Sequence, residues 1–74
     1  MPVPWEAIRN YVETAVQITG EVERTDLLFL AESDGYPDDI VDVLDAIGSR
    51  VFRGPDAVAQ TKSFLLRGGF IVEG

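Results

Sequence analysis

The stretch Asp34–Gly48, DGYPDDIVDVLDAIG, decides the fold. It predicts a helix marked at both ends. Pro37 suits the first helical position, where its missing N–H would have had no intrahelical acceptor anyway. Asp38 and Asp39 put negative charge beside the positive end of the helix dipole. Gly48 supplies the residue that stops the helix. Ile40, Val41, Val43, Leu44 and Ile47 recur at helical spacing on one side, and Asp38, Asp39, Asp42 and Asp45 occupy the other. A helix divided in this way needs its apolar side covered, and the flanking chain must supply the cover.

Upstream, Pro2 and Pro4 hold the first residues extended, and a helix is expected from Pro4 or Trp5 to about Ile18. Trp5, Ile8, Val12, Ala15 and Val16 form its apolar stripe, widened by Ala7, Tyr11 and Ile18 to about half the circumference. That width fits core packing, and it also leaves room for a second contact surface on the Trp5–Tyr11 side. Thr19-Gly20 ends this helix. The next is expected from Glu23–Thr25 to Ser33-Asp34-Gly35, with Thr25 as its cap. Its run Leu27-Leu28-Phe29-Leu30-Ala31 predicts a helix covered on most sides; the absence of β-branched residues favours helix over a buried strand.

Downstream of the central helix, Val51-Phe52 leans towards strand. Gly54-Pro55-Asp56 repeats the helix-start signal, and Gly68-Gly69 closes the helix that follows. Val58, Thr61, Phe64 and Leu65 form its apolar side. Phe70-Ile71-Val72 then reads as a short strand or an apolar tail. Residues 50–53 and 69–72 are expected to pair in parallel, since the intervening helix is long enough for the crossover. The expectation is therefore an all-α fold: one domain over residues 1–74 with four helices and a minor two-stranded element. Its core is Ile8, Val12, Leu27, Leu28, Leu30, Ile40, Val43, Leu44, Ile47, Phe52, Val58 and Leu65.

The run DIVDVLDAIGSRVFRGPDAVAQ resembles a family of small bacterial proteins known only as a domain of unknown function. The shared pattern is an acidic helix carrying Asp42, Val43, Leu44 and Ile47, a link with the aromatic Phe52, then Pro55 and Val58 opening another helix. The preceding helix, with Leu27, Leu28 and Ala31, also fits, so the resemblance spans roughly residues 23–60. The chain departs from the family at Ile47-Gly48, where Leu-Pro is usual, at Phe52, where Tyr is usual, and at Gly20-Glu21-Val22, where the family has Tyr-Pro. The resemblance implies a compact helical fold and a bacterial origin, and it brings no activity.

The net charge is −7 and unevenly spread. Residues 1–49 hold eleven acids against Arg9 and Arg24, a balance of −9. Residues 50–74 hold Arg50, Arg53, Lys62 and Arg67 against Asp56 and Glu73, a balance of +2. Two readings stay open for the ridge of Asp38, Asp42 and Asp45: a solubilising surface, or a face that steers a basic partner. There is no cysteine, hence no disulfide framework and no thiolate zinc site, which fits a reducing compartment. Residues 1–20 contain no continuous apolar run and carry Glu6, Arg9 and Glu13, so neither a signal peptide nor a membrane span is expected. The expected location is the cytoplasm.

Without His or Cys, the commonest acid–base group and the strongest nucleophile are missing. Ser33, Ser49 and Ser63 have no visible activating base, the glycine-rich spots are helix ends, and Asp34-Gly35 and Asp38-Asp39 lack the spacing of a calcium loop. No catalytic, cofactor or metal residue is expected. The function expected is a non-enzymatic protein-interaction module, self-associating or an accessory subunit of a larger assembly. Its contacts would be the ridge Asp38, Asp42 and Asp45 and the apolar residues Trp5, Tyr11 and Ile71. The alternatives are a helix-turn-helix DNA-binding regulator, with Arg50, Arg53, Lys62 and Arg67 on phosphates, or an acidic mimic of nucleic acid. Nucleic-acid binding is disfavoured because the central helix exposes four aspartates and no base.

Overall fold

The computed structural model describes residues 2–35 and 37–73; Tyr36, inside the Asp34–Gly48 stretch, lies outside them. The elements run β1 (Val3–Pro4), α1 (Glu6–Thr19), β2 (Glu21–Glu23), α2 (Arg24–Glu32), α3 (Asp38–Asp45), β3 (Val51–Arg53), α4 (Ala57–Arg67) and β4 (Ile71–Val72). The chain is mostly helical, with two small two-stranded pairs beside the helices. Among the described residues no helix is long and apolar enough to cross a membrane.

The central helix is shorter at both ends than its stretch of sequence. Pro37 is the capping residue in extended conformation, not the first helical one. Its carbonyl accepts the first intrahelical bond, from Val41 N–H at 2.9 Å. At the other end Ala46, Ile47 and Gly48 donate to the carbonyls three residues back. This tightened last turn satisfies orphan carbonyls and still buries Ile47. Gly48, at φ 64°, then turns the chain away.

The remaining helices also start and stop for local reasons. Gly20, at φ 81°, ends α1 with its N–H on the carbonyl of Val16; a residue with a Cβ would be strained in that conformation. Thr25 does not cap α2. The capping residue is Glu23, whose backbone is extended because it closes β2. α4 starts at Ala57 with Asp56 as capping residue, two residues beyond Pro55.

Both strands expected near the C-terminal half are present, but they do not pair with one another. β4 pairs in parallel with β1, Val3 opposite Ile71 and Pro4 opposite Val72. β3 pairs antiparallel with β2, Glu21 opposite Arg53, Val22 opposite Phe52 and Glu23 opposite Val51. The β1 contact tolerates Pro4 because the donors across the pair are its neighbours. Val3 N–H reaches the carbonyl of Phe70 at 3.3 Å and Trp5 N–H that of Val72 at 2.8 Å. The missing proline N–H falls at the alternate position, which points away.

The core is lined by Ile8, Val12 and Ala15 of α1, Leu27 and Ala31 of α2, and Ile40, Val43, Leu44 and Ile47 around α3. Ala57, Thr61 and Leu65 of α4 complete it, with Val3, Trp5, Val22 and Ile71 from the strands and their edges. Of the expected core, Leu28, Leu30, Phe52 and Val58 are only half-buried against it. Thr61 is buried without penalty, since its hydroxyl donates to the carbonyl of Ala57 at 2.8 Å.

Candidate functional site

The burial pattern corrects part of the expected apolar contact surface. Trp5 is 6 % exposed and Ile71 2 % exposed. The first sits where α1 leaves β1, the second on the inward side of β4, so both are core. Tyr11 is half-buried on α1, and its hydroxyl donates to the Asp34 carboxylate. That hydrogen bond, then desolvation, then the Asp34 charge, push the phenol up from its ordinary value near 10 to about 12.

The large apolar side chains that do face out are elsewhere. Ile18 is 70 % exposed and Phe29 69 %. They share a hollow of about 190 Å³ between α1 and α2, completed by Ala15, Thr19, Asp26 and Leu30. This corrects the reading of α2 as covered on most sides. Leu27 and Ala31 lie four apart and face the core, and Phe29, midway between them, is rotated to the far side of the helix. That spacing was present in the sequence; the unbroken apolar run concealed it.

Asp38, Asp42 and Asp45 are all exposed on α3, but they are not equivalent. Asp45 Oδ1 accepts from Arg24 Nη1 at 2.7 Å. Each of these charges sits at the unfavourable end of its own helix dipole, the base at the start of α2 and the acid at the end of α3, and each relieves the other. Asp39 and Asp42 border an open groove of about 520 Å³ whose other walls are Pro2, Val3, Pro4, Val43, Gly69 and Phe70. No cluster of His, Cys, Asp or Glu among the described residues has the arrangement to hold a metal ion.

The four basic residues of the C-terminal half also separate. Arg53 faces Glu21 directly across the β2–β3 pair, at 3.4 Å. Lys62 reaches Glu73 at 2.6 Å and lies 5.7 Å from the centre of the Trp5 ring. Arg50 and Arg67 come together on a different groove, of about 390 Å³, with Phe52, Ala59, Gln60, Ser63 and Phe64. Arg50 stacks on Phe64 at 4.8 Å, and Phe64 meets Phe52 at 5.8 Å with the rings tilted by 53°.

Comparison with protein-family models, with curated proteins and with solved structures finds no match for this chain.

Proposed function

We propose that the chain is a non-enzymatic protein-interaction module that associates with a second copy of itself through the hollow between α1 and α2. The observation that carries this reading is the pairing of Ile18 and Phe29 on one concave surface. Single exposed apolar residues are ordinary, whereas adjoining ones mark contact sites. The surface is also self-complementary in kind. It offers a projecting ring, Phe29, and beside it a hollow lined by Ala15, Thr19 and Leu30. A two-fold contact uses the same patch on both partners, so each ring can enter the other copy's hollow. The absence of His and Cys favours a non-catalytic role.

Charge argues against the helix-turn-helix alternative. α2 and α3 are consecutive and packed together, but a recognition helix with the exposed side of α3 would bring Asp38, Asp39, Asp42 and Asp45 towards phosphate.

Sedimentation equilibrium of the intact chain tests the proposal. A mass above the 8.1 kDa monomer is expected at high protein concentration, rising with salt because the copies repel at a net charge of −7. Phe29→Glu should return it to a monomer that melts where the parent does at protein concentrations low enough to be monomeric. A monomer at every concentration and salt would overturn the reading.

A further inference from the structure

Six side chains in the sequence are cationic. Four are ion-paired: Arg9 with Glu6 and Glu13, Arg24 with Asp45, Arg53 with Glu21, and Lys62 with Glu73. Arg50 and Arg67 have no carboxylate partner among the described residues, although the chain holds thirteen acids. Both line the same groove between β3 and α4. Each is held by a neutral neighbour. Arg50 lies over the Phe64 ring, and Arg67 Nη2 donates to Ser63 Oγ at 3.1 Å. Stacking and one hydroxyl contact leave most of the ten N–H donors of two guanidinium groups uncommitted. Such a fork accepts a carboxylate in bidentate fashion.

We propose that this groove binds a carboxylate-bearing peptide segment of a partner protein. Arg50 and Arg67 receive its acidic side chains, and the groove-facing sides of the touching Phe52 and Phe64 rings receive an apolar side chain. The site is independent of the Ile18–Phe29 surface, with which it shares no residue. The charge pattern selects the occupant. A nucleic-acid strand gains affinity by having many phosphates neutralised, and among the described residues only Arg50 and Arg67 are cationic side chains without a carboxylate partner. A segment with two acids separated by an apolar residue needs no more than the groove contains.

The test is a nitrogen-15 NMR titration of the intact chain with the capped peptide acetyl-Glu-Leu-Glu-amide. Saturable shifts are expected at Arg50, Ser63, Phe64 and Arg67, absent with acetyl-Gln-Leu-Gln-amide. Affinity should fall about fivefold in Arg50→Gln and in Arg67→Gln, as expected for losing one exposed charge pair, and stay unchanged in Arg9→Gln. It should also weaken with salt, opposite in sign to the self-association of the α1–α2 hollow. Arg67→Gln keeps the Arg50–Phe64 stack, so it serves if Arg50→Gln unfolds. Equal affinity in the Gln variants, tighter binding of inorganic phosphate or of an oligodeoxythymidylate, or the same shifts appearing with protein concentration alone would each overturn the proposal.

Discussion

At the scale of single residues, the hydroxyl of Tyr11 shows what helical periodicity misses. Periodicity puts Tyr11 beside the apolar stripe of α1; it does not say that Asp34, in the turn after α2, stands opposite. Trp5 and Ile71 fail as surface residues for the same reason. Ile71 is covered through the pairing of β4 with β1, and the Trp5 ring lies under Lys62 of α4 with its amide on Val72; no local pattern reports contacts at that separation. The Asp34 bond has a consequence for pH. The neutral phenol donates to a carboxylate, so the folded chain holds Tyr11 protonated up to about 12. The associated stability is fully present below the ordinary phenol value near 10 and is lost as pH rises towards about 12. In a Tyr36→Phe background, ultraviolet titration of the phenolate should give a midpoint near 12, and Asp34→Asn should bring it back towards 10. A midpoint near 10 with Asp34 intact would show that the bond does not form in solution.

At the scale of elements, the helices were legible and their partners were not. The apolar spacing of α1, α3 and α4 names most of the buried side chains, and Gly20 marks a real helix end. Val51-Phe52 and Phe70-Ile71-Val72 read as strands in the sequence, and the structure has strands at Val51–Arg53 and Ile71–Val72. What misled was proximity in sequence: each strand pairs with a segment far upstream of it. Glu21-Val22-Glu23 carries the polar–apolar–polar alternation of a half-buried strand, but three residues after a helix stop also read as a link. The Arg24–Asp45 pair was hidden too, because it joins the start of one helix to the end of the next. A double-mutant cycle with Arg24→Gln and Asp45→Asn should give a coupling of roughly 0.2–1 kcal/mol that fades with salt, as for an exposed pair. Asp38→Asn with Asp42→Asn should stay within about 0.5 kcal/mol of the parent. Zero coupling in chemical denaturation at low salt would mean that the two helices are not joined there.

At the scale of the whole molecule, the β1–β4 pair ties the described ends of the chain together. It buries Val3 and Ile71 and brings Glu73 to Lys62. Deleting residues 69–74 should therefore lower the melting temperature independently of protein concentration. Loss of a buried isoleucine costs roughly 2–5 kcal/mol, enough to move a domain of this size by upwards of about 8 °C. If that deletion unfolds the chain, Ile71→Val should still show a graded loss of about 0.5–1.5 kcal/mol. An unchanged midpoint in both variants would mean that the clasp contributes nothing. The clasp also bears on how the protein is made. A ribosome releases its product from the amino end, so Val3 emerges well before its partner Ile71. The α1–α2–α3 packing and the β2–β3 pairing do not need β4, but Val3 and the amide of Trp5 must wait for residues 70–72 to emerge. During that interval the nascent domain lacks one wall of its interior, and the wall closes only once β4 has left the ribosome.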